Sequence, residues 1–207
     1  LKSKYDLIIL PYQVWFLSPS LPISSFLQSE EAKQLFADTP VVTVIGCRGM
    51  WLTAQEKMKT LLEKLNAKLI DNVALIDECG AGFSFLATPL WMLTGKKQSV
   101  SWIPKAGVSD IDINQSVRFG LAIENRLTRD NSDLNTSMLK GLDAVKINEK
   151  LILSEKIAHR SFKVWGKLLS LIGPPDTKRR NAGLCIYFTF LLLLILTVVP
   201  ITALLIK

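Results

Sequence analysis

The feature that most constrains this chain of 207 residues is an uncharged run near its carboxyl end, over 182–206. As a helix the run would be about 37 Å long, against about 30 Å for the hydrocarbon core of a bilayer. Lys178, Arg179 and Arg180 precede the run and only Lys207 follows it. By the positive-inside rule, the sequence predicts a single transmembrane helix over 182–206 and an amino-terminal domain in the cytoplasm. The alternative is a buried helix of a protein core.

The segment before this run has the pattern of an amphipathic helix over 154–172. At 100° per residue, one face carries the basic side chains Lys156, Arg160, Lys163 and Lys167. The opposite face is apolar, with Phe162, Trp165, Leu168, Leu169 and Ile172. Such a pattern is typical of a helix that lies at the lipid headgroups, so membrane lipid is an expected partner. The alternative is a soluble helix that packs its apolar side on the domain.

The distribution of charge also favours lipid over nucleic acid. The formal net charge is +7, and residues 151–207 hold 8 basic and 2 acidic side chains against 17 and 16 in residues 1–150. A nucleic-acid-binding domain usually carries its basic residues on a folded face among polar or aromatic readers, so no nucleic-acid partner is expected. The cysteines Cys47, Cys79 and Cys185 are widely separated and predict neither disulfides nor a metal site. His159 is interpreted as structural.

Residues 1–127 have the pattern of an α/β domain. Runs rich in Ile, Val and Leu over 5–10, 41–46 and 73–77 are typical of parallel strands buried on both faces. A loop and a helical pattern follow the strands. Thr53 and Glu56 have the spacing of a capping box, and a further helix is expected over about 109–127. The sequence therefore predicts an α/β fold with a parallel sheet of three β/α units, and residues 128–153 are predicted to be a linker.

In open α/β sheets, ligands bind beyond the carboxyl ends of the strands, so the segments after the three predicted strands are the candidate site. Aromatic rings there would offer stacking area, and glycines would let backbone amides approach a planar ligand such as a flavin or quinone. The candidate cofactor-binding residues are Pro11, Tyr12, Gln13, Val14, Trp15, Phe16, Cys47, Arg48, Gly49, Trp51, Gly80 and Gly82. The alternative for each aromatic residue is core packing. No catalytic residue is assigned, because Asp77 and Glu78 are adjacent on a strand and point to opposite faces.

Several segments resemble a known family. The segments 5–16 and 41–51 resemble the third and fourth strands of flavodoxin-like proteins with their two isoalloxazine loops. More narrowly, YQVWFLSPSLP (12–22), AQEKM (54–58), SEKI (154–157) and SFKVWGK (161–167) resemble flavodoxin-like dialkylresorcinol condensing enzymes. The resemblance covers nearly the whole chain. No Ser/Thr/Gly-rich phosphate loop precedes these segments, so the chain is expected to be truncated at its amino terminus and to leave the first strand with an unpaired edge.

The resemblance implies a membrane-anchored, FMN-dependent oxidoreductase of dialkylresorcinol or aryl-lipid biosynthesis in the bacterial inner membrane. It would convert a cyclic dione, made by a ketosynthase partner with an acyl carrier protein, into an aromatic ring. The apolar stretch over 83–93 is expected to be part of a long loop that forms a lid for this lipophilic substrate. The alternative is that it packs on the sheet or on the amphipathic helix. The alternatives are an NAD(P)H-dependent quinone reductase, with NAD(P)H as a second cofactor, and a non-catalytic scaffold for biosynthetic enzymes.

Overall fold

The computed structural model describes residues 5–77, 79, 81–98, 100–129 and 134–205. Side chains are described for all of these except 81, 82, 84, 85, 89, 129, 195 and 198–205. The chain divides into two compact units, Leu1–Glu155 and Lys156–Lys207.

The first unit alternates strands with helices. Its strands are β1 (Ile8–Trp15), β2 (Ser18–Pro19), β3 (Pro40–Cys47) and β4 (Lys68–Ile76). Its helices are α1 (Leu21–Phe26), α2 (Glu30–Phe36), α3 (Leu52–Lys64), α4 (Ala81–Thr94), α5 (Asp110–Gln115) and α6 (Val117–Arg129). A short 3₁₀ helix over Glu149–Leu151 leads into α7 (Ile152–Ile172), which continues into the second unit. The predicted single helix over 109–127 is thus two helices, separated at Ser116.

The sheet has four strands in the order β2-β1-β3-β4. The strand β3 is parallel to both β1 and β4, with Ile8 opposite Val41 and Val44 opposite Val73. The strand β2 is antiparallel to β1, so the predicted flavodoxin-like, purely parallel sheet is wrong. The chain reverses at Phe16 and Leu17, which both have positive φ angles although neither is glycine. Without a glycine or asparagine, the sequence shows no signal for such a turn.

The first strand begins and ends later than its apolar run predicts. Residues 5–10 were expected to form it, but β1 extends from Ile8 to Trp15, so residues 11–15 form a strand and not a loop. Pro11 is tolerated because the Gln13 carbonyl bonds to Ser20 on the outer side of β1, and the strand period of two puts Pro11 on that same side. A proline that faces an outer edge removes no hydrogen bond between β1 and β3.

Hydrophobic cores cover both faces of the sheet, because alternate strand residues point in opposite directions. On one face Val41 and Ile45 pack with Met58 of α3 and with Phe36 of α2. On the other face, the buried side chains that pack together are Val42, Val73, Phe119, Ile123 and Leu139. The first unit is therefore a layered α/β structure with α3 and α6 contributing to opposite faces.

Two segments that were expected to be a linker or a loop are ordered parts of the fold. Part of the predicted linker over 128–153 packs on the sheet, since Ala74 donates its backbone N–H to the Ala144 carbonyl at 2.9 Å; residues 130–133 lie outside the described residues. The apolar stretch over 83–93, expected to be a loop, lies within the helix α4. An apolar run of this length forms a helix as readily as a buried loop, and the helix satisfies its backbone groups internally.

The second unit consists of the rest of α7 and of α8 (Lys178–Leu205). Trp165 of α7 packs against two aromatic rings of α8, with ring centroids 4.9 Å from Tyr187 and 5.5 Å from Phe190. A Cβ atom added at Gly183 would lie 3.1 Å from side-chain atoms of Leu169 and of Ile172, so the two helices approach closely there.

The predicted transmembrane helix over 182–206 is wrong, and so is single-pass placement in a bacterial inner membrane with a cytoplasmic amino-terminal domain. Among the helices that the structure describes, none has both the length and the apolarity to cross a bilayer. The helix α8 begins at Lys178, so its first turn carries Lys178, Arg179 and Arg180. Residues 206–207, and the side chains of 195 and 198–205, lie outside the described part.

Candidate functional site

Three of the predicted ring-binding residues lie in the core instead of at the edge of the sheet. Tyr12, Cys47 and Trp51 are all less than 9% exposed and belong to the core between the sheet and α3. Their apolar surfaces are covered by protein, so none of them offers a face to a ligand. The core-packing alternative is the correct one for Tyr12 and Trp51.

The Tyr12 hydroxyl begins a chain of buried hydrogen bonds that crosses the sheet. It donates to Gln55 Oε1 at 2.6 Å, and Gln55 Nε2 donates to Thr43 Oγ1 at 3.2 Å. The Thr43 hydroxyl in turn donates to Asn72 Oδ1 at 2.9 Å. Burial, and secondarily the nearby Cys47, raise the pKa of Tyr12, which keeps its hydroxyl protonated as a donor. We name this set of four side chains the polar relay.

Burial lowers the reactivity of the Cys47 thiol. Burial raises the pKa of its thiol to about 12, and the negative charge of Glu155 contributes in the same direction. Its Sγ lies 3.8 Å from the Leu75 carbonyl oxygen. Because the thiolate is the reactive form, burial disfavours Cys47 as a nucleophile.

The loop after β3 is covered by residues that immediately precede and begin α7. A Cβ atom added at Gly49 would lie 2.8 Å from Leu151 Cδ1, so Leu151 lies against this glycine. Glu155, which is 2% exposed, accepts a hydrogen bond from the backbone N–H of Thr53 at 2.5 Å. An anion at this position also interacts favourably with the positive end of the α3 dipole. A backbone N–H group at the amino end of α3 is thus hydrogen-bonded to a side chain of the same protein.

The start of α3 differs from the predicted capping box. The helix begins at Leu52 with Trp51 as its N-cap, so Thr53 is already helical and has no capping role. Gln55 belongs to the polar relay and Glu155 takes over the capping. Neither role can be predicted from the neighbouring sequence, because the hydrogen-bonded partners are 43 and 102 residues apart.

Trp15 and Phe16 are the predicted residues that do present aromatic surface at the carboxyl end of β1. Their side chains are 44% and 76% exposed. Trp15 Nε1 donates to Gln13 Oε1 at 3.1 Å, which restricts the indole. Phe16 and Leu17 form the two-residue turn, with φ angles of 49° and 57°. We name Trp15, Phe16 and Leu17 the aromatic turn.

The remaining described residues of the predicted site lie in β1, after β3 and in α4. Pro11 and Gln13 are exposed on β1, Val14 is partly buried, and Arg48 and Gly49 are partly buried after β3. Arg48 is close enough to Cys79 to lower the pKa of its thiol, although burial and Asp77 outweigh this and raise it. Gly80 lies outside the described residues, and Gly82 is in the first turn of α4 and not in a loop.

Asp77 organises the end of β4 and has a structural role. Its Oδ1 accepts from the backbone N–H of Cys79 at 2.8 Å, and its Oδ2 accepts from that of Gly107 at 3.1 Å. The Cys79 thiol lies 3.6 Å from the Pro104 carbonyl oxygen. Both carboxylate oxygens therefore accept hydrogen bonds from backbone N–H groups. Within the described ranges, no group of His, Cys, Asp and Glu side chains has the arrangement of a metal site.

The fold and this edge define an α/β protein with a mixed sheet and an exposed aromatic turn. Comparison of the chain with protein-family models, with curated proteins and with solved structures gave no match.

Proposed function

We propose that the aromatic turn binds the face of a planar ring, and that the protein is an FMN-dependent oxidoreductase acting on a lipophilic ring compound. The observation that carries this proposal is the exposure of two consecutive aromatic residues, Trp15 and Phe16, where β1 ends at the carboxyl edge of the sheet. Ligands of open α/β sheets bind at this edge, and exposed indole and phenyl rings stack on planar ligands.

Backbone strain in the aromatic turn supports a binding role. A non-glycine residue in the left-handed region costs about 1–2 kcal/mol, and Phe16 and Leu17 both adopt it. Leu17 is buried and offsets part of this cost, whereas Phe16 is exposed and gains little from burial. Strain of this kind is concentrated at ligand-binding sites, where it holds side chains in the binding geometry.

The aromatic turn fits the isoalloxazine ring of FMN, whereas the amino end of α3 offers no free cradle for its phosphate. Trp15 and Phe16 would contact the ring. A helix amino terminus is the usual phosphate site, but the amino end of α3 already bonds to the Glu155 carboxylate. A bound flavin would supply an acceptor for two electrons, which is the difference in oxidation state between a cyclic dione and the corresponding resorcinol. The role of this chain in that chemistry is to hold the ring.

A lipophilic substrate is supported by the surface of α4. This helix exposes the large apolar side chains Phe83, Leu86, Met92 and Leu93. Each CH₂ group removed from water contributes about 0.8 kcal/mol, so such a surface suits a substrate with alkyl chains. The resemblance to dialkylresorcinol condensing enzymes points to an alkyl-bearing cyclic dione, supplied by a ketosynthase and an acyl carrier protein.

Titration with lumiflavin, the flavin ring without its ribityl phosphate, tests the ring site. We expect the full chain to quench lumiflavin fluorescence, and Trp15→Ala or Phe16→Ala to weaken binding roughly fivefold, the equivalent of about 1 kcal/mol for one ring contact. FMN should bind no more tightly than lumiflavin, because Glu155 occupies the amino end of α3. The matched control is Phe188→Ala, which removes an exposed ring from the second unit.

The outcomes separate the three functional classes. Equal lumiflavin affinity in all three variants would show that the aromatic turn does not bind the flavin ring. No binding by the unaltered chain would favour a non-catalytic scaffold. If lumiflavin binds, NAD(P)H consumption with a simple quinone, and no conversion of an alkylated cyclic dione, would identify a quinone reductase.

A further inference from the structure

The helix α7 presents three distinct faces within the second unit. One face, which includes Trp165 and Leu169, packs on α8 through the aromatic contacts and the close approach at Gly183. The sequence predicted that this face would meet lipid, but α8 covers much of it. The other two faces of α7 are exposed.

The second face is an apolar stripe whose side chains are exposed. Its side chains are between 44% and 76% exposed and recur at helical spacing: Ile157, Val164, Leu168 and Leu171. At 100° per residue they fall within about 60° of one another. A continuous stripe of this kind is unfavourable in water and marks a contact surface.

The third face is a basic stripe about 80° away around the helix. Its side chains are all exposed: Lys156, Arg160, Lys163 and Lys167. Residues 156–172 contain no acidic side chain. Among the described residues, none of the salt bridges involves these four cations. The one acidic residue of α7, Glu155, is buried against the start of α3.

We infer that the exposed faces of α7 dock on an anionic lipid surface, with the helix axis parallel to that surface. The apolar stripe would enter the boundary between headgroups and acyl chains. The long basic side chains at its border would reach the lipid phosphates. Charge complementarity selects this partner, because the surface offers four cations and no acidic group beside apolar side chains. This inference rests on the second unit and is independent of the ring site.

Sedimentation of the full chain with lipid vesicles tests the inference. We expect binding to vesicles of phosphatidylcholine mixed with phosphatidylglycerol, much weaker binding to phosphatidylcholine alone, and a decrease with added salt. Each basic residue near an anionic surface contributes roughly a fivefold factor, so Lys163→Glu/Lys167→Glu should weaken binding at least 25-fold. Val164→Asp/Leu168→Asp should also abolish tight binding, because it places charge in the apolar stripe.

The matched control is Lys64→Glu/Lys68→Glu, which makes the same charge change at exposed positions in the first unit. It should bind vesicles like the unaltered chain, and circular dichroism should show that every variant is folded. Equal binding by the Lys163/Lys167 variant and the control would overturn the inference. So would charge-independent binding to phosphatidylcholine, or binding to an RNA oligonucleotide as tight as that to the anionic vesicles.

Discussion

At the residue scale, the polar relay explains why an aromatic residue of the predicted ligand loop is in the core. Tyr12 is on β1, Gln55 on α3, Thr43 on β3 and Asn72 on β4. The relay therefore joins three strands and α3. Tyr12 donates at one end, Gln55 and Thr43 each accept and donate, and Asn72 accepts at the other end. A buried polar group is tolerated only when it is hydrogen-bonded, so each member requires its neighbour.

We expect Tyr12→Phe to destabilise the first unit by about 1–2 kcal/mol, because Gln55 Oε1 loses its donor in a buried site. Gln55→Met removes the partner and should have a cost of similar size. The double variant should cost less than the sum of the two single changes, since the two residues share one hydrogen bond. Urea unfolding of the full chain measures the three free energies of unfolding, with Tyr187→Phe in the second unit as the control. Strict additivity would contradict the relay.

At the element scale, the positions of strands and helices depend on contacts that their own sequences do not show. The aromatic turn converts an expected loop into the end of β1 and a short antiparallel strand. The helix α3 begins without a side-chain cap of its own and relies on Glu155, which precedes the basic stripe of α7. The first unit thus includes the start of a helix whose remainder belongs to the second unit.

Replacing Glu155 tests this capping. We expect Glu155→Ala to lower the free energy of unfolding by about 1 kcal/mol or more, because the Thr53 N–H loses its acceptor and the α3 dipole loses an anion. Glu155→Gln keeps an acceptor and should cost less. The control is Glu149→Ala, at a nearby exposed position. Thermal or urea unfolding followed by circular dichroism measures the effect, and equal stability of all three variants would exclude the cap.

At the scale of the whole molecule, residues that resemble a linker complete the first unit. Asp71 of β4 accepts hydrogen bonds from the backbone N–H groups of Met138 at 2.6 Å and Leu139 at 3.2 Å, and from the Ser137 hydroxyl at 2.6 Å. Leu139 is buried in the core beside α6. The described part of this segment is therefore held to the sheet by a carboxylate and an apolar anchor.

Limited proteolysis tests this docking. Lys140 is exposed and follows the anchored Leu139, so trypsin cleaves after it only when the segment opens. We expect Asp71→Ala to increase the rate of cleavage after Lys140 at least tenfold, because three hydrogen bonds are lost. Asp6→Ala is the matched control, at an exposed carboxylate of the same unit. Cleavage at the same rate in both variants would show that Asp71 does not hold the segment.

Local pattern was sufficient for the parts of the fold where periodicity and burial coincide. The run over 41–46 lies within β3, and Met58 and Leu62 lie on the buried face of α3 as their spacing indicates. Of the aromatic residues in the predicted site, Trp15 and Phe16 are exposed, whereas Tyr12 and Trp51 are buried. The sheet direction at β2, the helical form of 83–93 and the transmembrane span were not predicted correctly, because composition alone does not distinguish these alternatives.

The sequence by itself determined the α/β class, the strands that alternate with helices and the basic stripe of α7, since each depends on near neighbours in the chain. Tertiary structure alone decided which aromatic residues are core and which are surface, and which carboxylate caps α3. The physical reason is that burial and hydrogen bonding depend on partners brought together from distant positions. Tyr12 meets Gln55 and Thr53 meets Glu155 only when the sheet and helices have assembled.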